Sequence, residues 1–175
     1  MTETGRRFEF PDGSLYEIVV PASTTAGART ELRVILPPTP IAPPPHIHPT
    51  QTETHTVESG AFEVLLGRNW RTLTAGQSLT VPSGTVHTFR NRSGENVELR
   101  SIYSPSLDFE RYLERLYWLF AMNRIQRSRS LSSRLYSALL WDTHRADQVL
   151  ASRIAQTTIG TLARLARLLG FRVDR

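Results

Sequence analysis

Three histidines and one glutamate are the residues of this sequence whose types and spacing could do chemistry. The segment Pro45-His46-Ile47-His48-Pro49-Thr50-Gln51-Thr52-Glu53 sets two imidazoles at i and i+2, with a carboxylate five residues beyond the second. On an extended strand, residues two apart point to the same face, so His46 and His48 share one. A short bend after His48 lets Glu53 return to that face, and His87, which follows the turn Pro82-Ser83-Gly84, closes the set. Three neutral nitrogens and one anionic oxygen suit a divalent first-row metal ion. They leave coordination positions open for substrate, water or dioxygen.

Composition removes several other chemistries. The 175 residues contain no cysteine, which excludes a thiol nucleophile, a disulfide framework, a zinc finger and an iron–sulfur cluster. All 21 basic residues are arginine, so neither a Schiff-base lysine nor a phosphate-loop lysine is available. There is no Gly-x-Ser-x-Gly elbow and no His-Glu-x-x-His helix. The net charge of +5 is unevenly spread: 9 arginines face 10 acids up to Pro105, and 12 face 6 from Ser106 onward.

The elements that must position these groups are short strands. From Arg6 to Tyr103, apolar alternations are separated by breakers such as Pro11-Asp12-Gly13, Ser59-Gly60, Ala75-Gly76 and Asn91-Arg92-Ser93-Gly94. This spacing predicts strands over 6–10, 15–20, 30–36, 54–58, 62–66, 70–73, 78–81, 86–90 and 97–103, hence a sandwich or barrel. The period then changes from two to about 3.6. Ser104-Pro105 reads as an N-cap with proline at the first helical position, ahead of the stripe Phe109, Tyr112, Leu113, Leu116, Tyr117 and Phe120. A second helix is predicted over 131–141. A third is predicted over 146–169, with Ile154, Ile159, Leu162, Leu165 and Leu169 as its seam and Gly170 as its C-cap. The chain thus divides into a mainly β domain, residues 1–104, and a C-terminal α-helical extension, residues 105–175, that packs on the barrel or on a dimer partner.

His46-x-His48-x4-Glu53-x6-Gly60, followed after fifteen residues by Gly76-x5-Pro82-x-Gly84-x2-His87-x3-Asn91, resembles the two signature motifs of the cupin superfamily, with nine fixed positions filled. Average residue usage makes a chance match at each position about one in twenty or rarer. The resemblance implies a jelly-roll barrel, or double-stranded β-helix, with one divalent metal ion per chain inside it, held by His46, His48, Glu53 and His87. Iron or manganese is favoured; zinc, nickel, cobalt and copper suit the same donors.

Pleat arithmetic adds candidates. Glu53, His55 and Val57 share a face, which turns His55 toward the metal as a proton shuttle, outer partner or extra ligand; Gln51 is a further candidate for orienting a ligand or a bound oxygen. Phe62, Val64, Phe89 and Asn91 are expected to line a partly hydrophobic substrate pocket, and Arg33 to hold a substrate carboxylate.

These readings lead to a metal-dependent cupin enzyme acting on a small, partly hydrophobic organic molecule, foremost a dioxygenase or other oxidoreductase. The alternatives are a Lewis-acid isomerase, cyclase or lyase of the natural-product tailoring type, and a non-catalytic small-molecule or metal-binding barrel. The expected partners are a small-molecule substrate and a second copy of the chain. No nucleic-acid motif is present, and the arginine-flanked third helix could touch a membrane surface. A polar N-terminus and the lack of a long apolar run suggest a cytoplasmic protein with no transmembrane segment.

Overall fold

A computed structural model describes residues 5–39, 43–126 and 130–174. The alternating stretch folds into ten strands: β1 (Arg7–Glu9), β2 (Leu15–Val20), β3 (Thr30–Leu36), β4 (His46–Ile47), β5 (Thr52–Ser59), β6 (Ala61–Leu66), β7 (Asn69–Thr74), β8 (Ser78–Val81), β9 (His87–Arg90) and β10 (Val97–Ser104). An eleventh, β11 (Val149–Leu150), comes from the tail. They form two antiparallel sheets, one in the order β1-β2-β3-β10-β5-β8 and one in the order β11-β4-β9-β6-β7. This is a jelly-roll sandwich with three C-terminal helices.

Alternation decides what lies between the sheets. Leu32, Val34 and Leu36 of β3, Val57 of β5, Phe62 and Val64 of β6, and Val97 and Leu99 of β10 are buried in one apolar cluster. Removing Phe62 from water is worth about 1.5–3 kcal/mol. Turns fix the registers. Gly60 has φ +82°, and a Cβ there would sit 2.8 Å from the Asn96 carbonyl oxygen, so the β5–β6 connection admits glycine alone without displacement.

The helices are α1 (Phe109–Ala121), α2 (Leu131–Thr143) and α3 (Arg153–Leu168). α1 completes the barrel's own core: Phe109 and Leu113 are buried in the same cluster as the strands, and Phe10 meets Tyr117 and Phe120 edge-on. Arg6 clamps it by pairing with Glu110 and Glu114. A second cluster, built on Leu119, Leu135, Leu139, Leu140, Ala163 and Ala166, joins the three helices.

The tail departs from the sequence expectation in three places. Ser104 ends β10 rather than capping α1, whose N-cap is Asp108. α3 starts at Arg153, capped by the Ser152 side chain, because Val149 and Leu150 are taken as a strand against Ile47 and His46. Its seam also differs. α3 carries two apolar stripes, and the small Ala163 and Ala166 face inward while Ile154 and Leu169 are 81% and 59% exposed. The close approach of α2 and α3 selects alanine for the contact. Gly170 is the expected terminator, with φ +79°, and the pair Gly170 N–H to Arg167 O and Phe171 N–H to Ala166 O forms a Schellman cap.

Candidate metal centre

The two sheets supply opposite halves of the site. Glu53 and His55 point inward from β5, where they pair across the ladder with Tyr103 and Ser101 of β10. His46 of β4 lies opposite His87 of β9 in the facing sheet, and His48 follows one residue after β4. The turn from Pro82 to Gly84 is tied to the same place: Gly84 N–H donates to the His48 carbonyl. His46, His48, Glu53 and His87 are all buried, and one ligand atom from each lies within 4.8 Å of the others.

Each of the three imidazoles is fixed from behind. His46 Nδ1 donates to the Pro44 carbonyl at 3.0 Å, His48 Nδ1 to the Asp147 carbonyl at 2.8 Å, and His87 Nδ1 to the Thr85 carbonyl at 3.0 Å. That pattern puts a proton on each Nδ1 and leaves Nε2 as the nitrogen that a metal ion would take. Nε2 of His87 is 3.0 Å and Nε2 of His48 3.7 Å from Glu53 Oε2.

Burial, then the charge of His87, pushes His46 down to about 4, so its imidazole is neutral at neutral pH. Burial alone would raise Glu53, but the charge of His55 and the contacts with His48, His55 and His87 hold it well below the ordinary carboxylate value. A carboxylate 2% exposed among imidazoles is a donor set that a divalent ion at the convergence of the Nε2 atoms would complete. The residues fit a metal ion.

His55 also points into this site. Its Nδ1 is 2.8 Å from Ser101 Oγ; its Nε2 is buried 3.1 Å from Glu53 Oε1, off the line of a hydrogen bond and without another partner. Phe62 and Phe89 pack on the ring at 5.2 and 6.0 Å, and Val64 is buried beside Phe89 on the neighbouring strand. Gln51 is buried too, but its Nε2 donates to the Pro105 and Ser106 carbonyls, tying the site loop to the start of the tail.

Two expected pocket residues lie elsewhere. Arg33 is on the outer face of β3, paired with Glu98 and 3.5 Å from Glu17, because Leu32 and Val34 hold the inward positions on that strand. Asn91 is buried as a turn residue: its Nδ2 donates to the Leu36 and Glu95 carbonyls and its Oδ1 accepts from Ser93. Neither faces the metal ligands.

Other residues at the site escaped the sequence reading. Tyr103 sits across from Glu53 with its ring 6.3 Å from that of His48, and burial, then the Glu53 charge, drives its phenol well above the usual range. The phase of Val97, Leu99, Ser101 and Tyr103 along β10 was the available signal. Trp141 of α2 packs its ring 6.0 Å from that of His46. A second acidic and imidazole cluster, Asp108, His144 and Asp147, lies behind His48, but Arg115 already supplies its cation, with Nη1 2.9 Å from His144 Nε2.

Residues 32–103 match the family described as Cupin domain. Among solved structures, KdgF from Halomonas sp. is similar at 20% identity, covering 59% of this chain and 90% of that one with a TM-score of 0.50. An RmlC-like cupin from Shewanella frigidimarina is similar at 17% identity, covering 63% and 92% with a TM-score of 0.51. At these identities the likeness concerns the fold. No curated protein matches the chain. With both motifs filled, the jelly roll formed and the four candidate ligands converging between its sheets, residues 32–103 of this chain match a cupin domain in sequence and in fold.

Proposed function

We propose that the chain is a metal-dependent oxidoreductase, a dioxygenase acting on a small, partly hydrophobic organic molecule. The observation that carries this reading is the convergence of His46, His48, Glu53 and His87 in a buried site whose imidazoles are each locked to present Nε2. A redox-active iron or manganese ion there would leave coordination positions for substrate and dioxygen side by side. Glu53 lowers the net charge of the centre. Phe62 and Phe89 exclude water and favour an apolar substrate edge. Gln51 and Tyr103 hold the loop and the carboxylate in place.

A second reading, Lewis-acid isomerase, cyclase or lyase chemistry, is favoured by His55. Its Nε2 faces into the site beside the Glu53 carboxylate, 3.1 Å from Oε1, and its Nδ1 is anchored by Ser101, an arrangement suited to carrying a proton to or from substrate at Nε2.

The test is elemental analysis of untagged protein purified without chelators, against His46→Ala, followed by turnover with and without dioxygen. Stoichiometric iron or manganese lost in the variant, with dioxygen-dependent turnover, is the expected result. Zinc with anaerobic turnover moves the assignment to the Lewis-acid reading. Absence of bound metal from protein offered iron, manganese and zinc overturns both.

A further inference from the structure

Behind His46, between the barrel and the tail, lies a cleft of about 360 Å³, within the usual range for small-molecule sites. Its walls are largely apolar, with Pro44, Leu150 and Ile159 among them; Gln126 lines it from the segment before α2, and its other polar groups come from α2. Arg134, Ser137 and Trp141 of α2 stand at i, i+3 and i+7, a spacing that puts them on one face. Among the described residues, the Arg134 guanidinium, the Ser137 hydroxyl and the Trp141 indole N–H have no hydrogen-bond or ion-pair partner.

All three can donate a hydrogen bond, and two of them can only donate. Among the described residues, no carboxylate lines the cleft. A cation and two neutral donors on an apolar wall complement an apolar molecule that carries an anionic acceptor, and a planar guanidinium favours a carboxylate through paired hydrogen bonds. We propose that this cleft binds a small aromatic or alicyclic carboxylate at a site outside the barrel. None of its three donors is a metal ligand, so binding here is independent of the chemistry assigned to the barrel. The cleft nevertheless adjoins the metal centre. The Pro44 carbonyl accepts from His46 Nδ1, Leu150 pairs with His46, and Trp141 packs on its ring. A bound molecule therefore touches the residues that hold His46.

The test uses isotopically labelled full-length protein titrated with α-naphthoate and, separately, with its neutral analogue α-naphthylmethanol. The three tryptophans give three indole N–H signals, and Trp141→Phe identifies one of them. The expected result is a saturable shift of the Trp141 signal by α-naphthoate, with millimolar or tighter affinity, while Trp70 and Trp118 stay still. Arg134→Gln, a change on the surface of α2, should weaken α-naphthoate about tenfold and leave α-naphthylmethanol unchanged. Ser137→Phe, which fills the cleft, should abolish the shift, and an unaltered thermal transition confirms that it folds. The proposal is overturned by lack of a saturable shift, by equal binding of the two probes, or by an Arg134→Gln variant that binds α-naphthoate as the parent does.

Discussion

His48 Nδ1 donates to the backbone carbonyl of Asp147, 2.8 Å away across 99 residues of sequence. The carbonyl belongs to the segment between α2 and β11, so a ligand of the barrel is oriented by the tail. That segment is held by a chain of contacts. Asp147 Oδ2 is 3.1 Å from His144 Nδ1, His144 Nε2 meets Arg115, and Arg115 pairs with Asp174. Val149 and Leu150 then add the tail to the sheet that carries His46 and His87. The helical extension is in this sense a wall of the candidate metal site.

Asp147→Ala should therefore weaken metal binding without removing a ligand. The variant keeps its carbonyl but loses the carboxylate that anchors the loop to His144, so the His48 ring is less firmly held. Loss of a partner behind a ligand costs about tenfold or more in metal affinity. Competition with a chelator should show that loss, with the circular dichroism of the fold retained. An affinity equal to the parent's would mean that β11 pairing alone fixes the loop.

Replacing His55 by phenylalanine separates metal binding from turnover. The ring already lies between Phe62 and Phe89, and a phenyl group fits that wall. Metal content should persist while turnover falls by about two orders of magnitude or more, the usual contribution of a positioned proton carrier. Loss of metal in the variant would make His55 a ligand, and unchanged turnover would leave it a packing residue.

What was legible in the sequence followed from periodicity and fixed spacing. Strand alternation placed His55 inward, and the motif turns placed His87, since Gly60 and Gly84 hold backbone geometry that their residue type reveals. Arg33 was misplaced because its strand tolerates either phase until Leu32 and Val34 are seen to be inside. Asp147 was illegible for a different reason: it acts through a main-chain carbonyl, which every residue possesses. Trp141 and the cleft depend on how α2 and α3 cross, and α3 offers two apolar stripes, of which the structure buries the one with small residues.

Glu31 gives the fold a pH dependence of defined sign. Its carboxyl is 3% exposed, and although burial alone would raise it, hydrogen bonds from Arg100 and Arg29 bring it below the ordinary value of 4.5. A depressed folded-state value means the stabilisation is present at neutral pH and is lost as the pH falls through that lowered value. Both arginines are about half exposed to water, which places the effect at the low end for a charged hydrogen bond. Glu31→Gln should cost roughly 1 kcal/mol at neutral pH. Urea unfolding at neutral and acidic pH should show the gap between variant and parent closing below 4.5. A constant gap would assign the effect to packing.

Gly60→Ala tests why the first motif ends in glycine. The residue has φ +82°, and an added Cβ would stand 2.8 Å from the Asn96 carbonyl oxygen and 3.2 Å from Val97 Cα, both main-chain atoms that cannot turn aside. Val97 is fully buried and begins β10, the strand that pairs with β5 and aligns Ser101 and Tyr103 with His55 and Glu53. Strain at the turn would thus be relieved only by moving β10, so the substitution should cost about 2 kcal/mol or more. Gly67→Ala is the control, because its φ is +64° and no neighbouring atom lies within 4 Å of the new Cβ, leaving the backbone penalty alone. Chemical denaturation of the two variants should give a larger loss for Gly60→Ala, together with weaker metal binding as the β10 register loosens. Equal losses would show that the glycine is required for its φ and not for the close approach of Asn96.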